Sequence, residues 1–206
     1  MLQCPAIAFR FQNFVINAKA YMTVQPQAID ESQLQETATL KLWEQVKEDW
    51  IAHGRDWTKP GFRAVAVHRF GNWRMKIEPK FLRAPFSILY RFFYRRVRNL
   101  YGIDLPYCVK LGRRVIIEHQ SCIIIHGDCV IGDDCIIRQG VTMGNRYRDR
   151  PLDAPKLGAR VNVGAGAKIL GNIAIGDDVN IGANAVVLSD IPAGQTAVGI
   201  PAKIIS

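Results

Sequence analysis

The sequence predicts an α+β chain in which an α-helical segment is followed by a parallel β-helix of six-residue repeats. Aliphatic residues recur every six positions, at Ile125, Ile131, Ile137 and Met143, and again at Leu157, Val163, Ile169, Ile175, Ile181 and Val187. Glycine follows several of them, in IGDDCI, LGARVN, VGAGAK and IGDDVN, which suits a sharp turn where a side chain would collide or φ must be positive. The preceding segment carries helical periodicity punctuated by proline. Each hexad then supplies one face of a triangular coil, and successive coils stack about 4.8 Å apart with their aliphatic residues inward.

Residues 1–40 show no sustained period and are read as a loosely attached extension. Residues 41–103 form a basic helical domain of three helices: LWEQVKEDWI, then FRAVAVHRFGNWRM after Pro60-Gly61, then FLRAPFSILYRFFYRRVRNLYG after Pro79. This segment holds 14 basic and 5 acidic residues, so it accounts for the net charge of +9. The rest is nearly neutral, and no nucleic-acid partner is expected. In the last helix Arg91, Arg95, Arg96 and Arg98 alternate with Phe92, Phe93, Tyr94 and Tyr101. That composition fits a solvated face opposite a packed one; it also fits peripheral contact with an anionic membrane through residues 79–101.

Residues 104–206 are the expected β-helix. A second inward slot lies two residues before the first, at Cys129, Cys135, Val141, Val161, Ala167, Ile173, Val179 and Ala185. Cys129 and Cys135 therefore read as core fillers, and Cys122 is assigned the same role. Between Met143 and Leu157 the register gains eight residues, which predicts a loop at 144–156 thrown out from a corner. Arg146, Arg148 and Arg150 lie on it, either to meet an anionic ligand or to keep the loop soluble.

No stretch reaches the roughly 18 apolar residues of a membrane span, and the first residues lack the features of a signal peptide. Five cysteines without a CxxC pair suit a reducing compartment, so a cytoplasmic location is expected, with the inner membrane face as a variant of it. Of four histidines, His53 and His68 fall in the helical segment, where a structural or surface role is the default, and His126 at a repeat corner, where an exposed turn residue is. A metal-dependent β-helix enzyme would need three histidines on the coils, and only His119 and His126 are there. His119 follows Glu118 and stands fifteen residues after Asp104, about one coil away. Spacing alone makes that a weak signal.

The stretches GIDLP, IIEHQSC, GVTMGN, APKLGARVNVGAGAKILGNIAIGDDVNIGANAVVL and VGIPAKI resemble the serine acetyltransferase branch of the hexapeptide-repeat acyltransferases, and the resemblance covers roughly residues 60–206. It implies a left-handed β-helix, acetyl-CoA as co-substrate, no metal, and sites built between the subunits of a trimer or a dimer of trimers. His119 matches the family's catalytic histidine and Asp104 its aspartate partner. Ala165 and Ala183 match small residues along which pantetheine runs, and Lys203 is expected at the phosphate-bearing end of CoA. Lys168 and Gly144 count as further cofactor positions, with amides near Gly144 as donors to the thioester oxygen.

Two positions depart from the pattern. Where the family has an arginine and a histidine before the loop proline, this chain has Asp153 and Ala154. Glu118, Asp153 and Arg150 are the candidate acceptor contacts. Losing donors for the serine carboxylate predicts poor serine binding, and so the expected acceptor is a saccharide of a cell-surface or exopolysaccharide precursor. L-serine is the alternative, and a non-catalytic scaffold or membrane-binding module is a third reading. The chain stops at Ser206, directly after PAKII, so the tail by which many bacterial serine acetyltransferases dock onto the next enzyme of cysteine synthesis is not expected.

Overall fold

A computed structural model describes residues 40–205. The extension expected over residues 1–40 lies, apart from Leu40, outside them. Helices α1 (Leu42–Ala52), α2 (Pro60–Met75) and α3 (Lys80–Tyr101) come first. Their ends follow local chemistry. The Glu44 carboxylate accepts from the Lys41 amide at 3.0 Å, closing the first turn of α1. Pro60 opens α2, where its missing N–H costs nothing. Gly102 ends α3 in the left-handed region, φ 62°, its N–H donating to the Arg98 carbonyl.

The chain then winds into a left-handed parallel β-helix with three faces. The first face stacks β1 (Ile103–Asp104), β4 (Ile123–Ile125), β7 (Thr142–Gly144), β10 (Lys168–Leu170) and β13 (Val186–Val187). The second stacks β2 (Lys110–Leu111), β5 (Val130–Ile131), β8 (Lys156–Leu157) and β11 (Ala174–Ile175). The third stacks β3 (Ile116–Ile117), β6 (Ile136–Ile137), β9 (Asn162–Val163), β12 (Asn180–Ile181) and β14 (Thr196–Val198). A last strand, β15 (Lys203–Ile205), returns antiparallel along β14.

All ten positions of the six-residue period are buried, none more than 3% exposed, and the second inward slot is buried throughout. Cys129 and Cys135 are core residues whose thiols burial pushes up to about 12, so neither is a nucleophile at neutral pH. Cys122 is a correction: it is exposed, in a turn outside the coil with φ 55°.

The period also begins earlier than expected. Leu105, Leu111, Ile117 and Ile123 are buried and six apart, but two residues out of phase with Ile125 onward. Asp104 pairs beside Ile124, whereas Ile124 pairs beside Thr142, so the first coil is two residues longer than the second. The surplus sits in the turn 118–122 that carries His119.

Crowding, not φ, explains the repeat glycines. A Cβ on Gly132 would lie 2.4 Å from the Gly158 carbonyl oxygen of the next coil. Positive φ falls two residues later, at Arg114, Asp134, Arg160 and Asp178. These stack as alternating charges, with Arg114–Asp134 and Arg160–Asp178 ion pairs both at 2.6 Å.

An open β-helix end would present unpaired backbone groups, and the helices close it. His53 donates from Nδ1 to the Asp49 carbonyl at 2.7 Å and accepts the Ile117 amide on Nε2 at 3.3 Å. His68 donates from Nε2 to the Val109 carbonyl at 3.0 Å. Arg69 donates to the carbonyls of Leu111 and Gly112, while Asp49 neutralises it at 2.9 Å. Glu48 holds Arg113. His53, just past the end of α1, and His68 within α2 thus both have structural roles.

Candidate active site

The two extra residues in the turn after β3 push His119 outward at the corner between the third and first faces. Its side chain is exposed, while Ile117 two residues before it is buried. Asp104 ends β1, the first strand on the other side of the same corner, half-buried between inward Ile103 and Leu105. The corner is tied to α3, because the Ser121 amide donates to the Tyr101 carbonyl at 2.8 Å and Ile123 to Gly102 at 3.0 Å.

Among the described residues no hydrogen bond joins His119 to Asp104. Asp104 instead accepts on Oδ1 from the Tyr94 hydroxyl of α3. Tyr94 stacks on Tyr90 with ring centroids 5.5 Å apart and lies under the Arg98 guanidinium. Burial first, then the Asp104 carboxylate, raises the Tyr94 pKa, so the hydroxyl stays protonated and remains a donor. From the sequence Tyr94 is one of the aromatic residues of the basic helix, with no sign of a place at the site. It stands ten residues before Asp104 in an aromatic run, and only the angle between α3 and the first coil brings it there.

The same corner continues down the molecule as a ladder of amides. Gly140 donates to Ser121 at 3.0 Å, Gly166 to Gln139 at 2.8 Å and Asn184 to Ala165 at 2.8 Å. Ala165 and Ala183 therefore sit on this corner, below His119. The turn from β14 back to the first face, through Gly199 and Ala202, closes the column, with the Ala202 amide donating to Val186 at 2.8 Å. Lys203 follows, exposed, opposite Val198. Lys168 lies beside the column on β10, its ammonium donating to the Gly140 carbonyl and to Thr142 Oγ1. From Ser121 to Asn184 the column spans three coil intervals, about 14 Å.

Other expected positions lie elsewhere. Gly144 ends β7 at the corner between the first and second faces, packed against His126, and the loop leaves from that corner. Arg146 and Arg150 lie over the Tyr147 ring at 5.1 and 5.8 Å, and the half-buried Asp153 donates its amide to the Arg150 carbonyl at 3.2 Å. Within one chain, then, Gly144, Arg150 and Asp153 are at a different corner from His119. His126 is also on that other corner, its Nδ1 accepting the Asp128 amide at 3.3 Å. Glu118, beside His119, is held by Arg138 at 2.6 Å, and Arg138 in turn donates to Asn162 at 2.5 Å.

A corner column of small residues headed by a histidine is a feature that comparison with known proteins can test. The model of the bacterial transferase hexapeptide (six repeats) matches residues 154–189. A serine acetyltransferase of Helicobacter pylori is 44% identical over 147 residues, 71% of this chain and 82% of that protein. The chain belongs to the serine acetyltransferase family. Another member, from Synechococcus elongatus, is 39% identical over 146 residues; the match covers 71% of this chain but only 57% of that longer protein. The crystal structure of the Brucella abortus serine acetyltransferase in complex with coenzyme A superposes with a TM-score of 0.69 at 27% identity, covering 85% of this chain and 71% of that one.

These relatives overturn the expected saccharide acceptor, since the family members that match most of the chain are serine acetyltransferases. The structure supplies part of the reason. Ala154, read as a lost acceptor contact, is 4% exposed and belongs to the aliphatic core. Its methyl group packs where the loop returns to the coil.

Proposed function

We propose that this chain is a serine O-acetyltransferase, moving the acetyl group of acetyl-CoA to the side-chain hydroxyl of L-serine. The observation that carries this reading is the 44% identity extending over 82% of the Helicobacter serine acetyltransferase. The corner geometry supports it. His119 takes the proton from the serine hydroxyl as that oxygen attacks the thioester carbonyl carbon; the C–O bond forms, the C–S bond breaks, and the proton passes to the departing sulfur. Asp104, with Oδ1 fixed by Tyr94, offers Oδ2 to the imidazole N–H and stabilises the imidazolium. Ala165 and Ala183 leave room for a pantetheine arm along the column, and Lys203 offers a cation to its phosphate end. Lys168 adds positive charge beside the path.

The zwitterionic acceptor needs an anion for its ammonium group and a cation for its carboxylate. Glu118 lies next to His119, whereas Asp153 and Arg150 lie at the other corner, so they complete the site only if supplied by a neighbouring copy. A trimer packed corner to corner meets that need, and it also brings the Gly144 amides to the thioester oxygen. Acetyl-CoA as co-substrate supports a cytoplasmic location for the reaction. Incubation of the purified protein with acetyl-CoA and L-serine should yield O-acetyl-L-serine, identified by mass and saturating with serine. If no O-acetylserine forms while another hydroxyl compound consumes acetyl-CoA, the reading fails.

A further inference from the structure

Helix α3 has two unlike sides. Tyr90 and Val97 are buried, and the ring of Tyr90 packs so closely on α2 that a Cβ at Gly71 would lie 2.5 Å from it. The opposite side is apolar and open: Phe81 is 73% exposed, Ile88 69%, Phe92 57% and Leu100 58%. At about 100° per residue, Phe81, Ile88 and Phe92 fall on one stripe, with Leu82, Leu89 and Leu100 along its flank. Arg91 and Arg95 border the stripe on one edge and Arg96 on the other. Together Ile88, Arg91, Phe92, Arg95, Arg96 and Leu100 line an open groove of about 530 Å³. The helix contains six basic residues and no acidic one.

We propose that α3 is a peripheral docking face for an anionic lipid surface, lying in the plane of the headgroups with Phe81, Ile88 and Phe92 immersed and Arg91, Arg95 and Arg96 on lipid phosphates. Charge decides between occupants. A second copy paired through this stripe would set Arg91, Arg95 and Arg96 against the same arginines, with no carboxylate on the helix to offset them. An anionic bilayer supplies both what the stripe needs, an apolar layer, and what the arginines need, a dense array of phosphates. Attachment is peripheral, because no helix among the described residues is long and apolar enough to cross a membrane. The proposal is independent of the acceptor and of the His119 chemistry.

The test is flotation of the full-length protein with vesicles of phosphatidylcholine alone or mixed with phosphatidylglycerol. Binding should require phosphatidylglycerol and weaken as salt rises. The double variants Ile88→Ser/Phe92→Ser and Arg91→Gln/Arg95→Gln should each lower partitioning by about tenfold or more, while circular dichroism, sedimentation and acetyl transfer stay as in the parent. Failure of the parent to bind mixed vesicles overturns the proposal, as does equal binding to pure phosphatidylcholine or undiminished binding by the variants. A shift of either variant to a smaller assembly would instead identify the stripe as a protein interface.

Discussion

At the scale of single residues, the Tyr94 hydroxyl links α3 to Asp104 and so, in the dyad proposed above, to the orientation of the His119 ring. Its proposed role is positioning, since the hydroxyl is engaged by the Asp104 carboxylate. Replacing it by phenylalanine concentrates negative charge on the Asp104 carboxylate, which favours the protonated imidazole. Tyr94→Phe should therefore lower kcat about tenfold, leave KM for acetyl-CoA within about twofold, and move the acid limb of the rate–pH profile to higher pH. A loss of rate with an unmoved profile would reduce Tyr94 to packing. His68 makes a second prediction. Burial is the largest cause depressing it from 6.5 to about 3, with the Arg69 charge adding to the effect. A histidine lowered in the folded state contributes stability that is whole above pH 6.5 and is lost as pH falls toward 3. By pH 5 the loss is about 2 kcal/mol, and His53, also lowered by burial, adds in the same direction. His68→Gln keeps a donor for the Val109 carbonyl but cannot titrate, so its urea midpoint should fall less between pH 7.5 and 5 than that of the parent. An equal fall would show that His68 is not the sensor.

At the scale of elements, the β-helix was readable because its period is strict: the same position of every repeat must point inward, and each such position from Ile125 to Val187 is aliphatic or methionine. The first coil was harder to see, since two surplus residues at 118–122 break the phase, and a search for one period stops at the break. Those surplus residues carry the candidate base, so irregularity of the repeat was itself the signal for the site. The helices were legible from proline punctuation, but their purpose was not. Arg69, Asp49, His53 and His68 look like ordinary polar residues of amphipathic helices until the coil end they satisfy is in place. Arg69→Met should leave Asp49 charged, buried and unpaired, destabilising the protein by about 3–5 kcal/mol in urea unfolding. A change under about 1 kcal/mol would mean that water reaches the joint and the helices do not seal the coil.

At the scale of the whole molecule, the three corners divide the work. One carries alternating Arg and Asp that pair from coil to coil. A second throws out the loop with Arg150 and Asp153. The third runs from His119 through Ala165 and Ala183 to Lys203 and is the path proposed for acetyl-CoA. The members of this column were named by resemblance, residue by residue, but that they share a corner was not legible, because residues 119 and 203 come onto one corner only through the winding of the coil. The acceptor was misread by giving two loop residues more weight than the remainder of the chain, when one of the two faces the core. The most direct measurement is the steady-state rate of CoA thiol release with increasing L-serine, for the parent and for His119→Ala. The rate should saturate in serine and fall about a hundred- to ten-thousand-fold in the variant with the fold intact. A parent rate indifferent to serine, or a variant as fast as the parent, would contradict the proposed function.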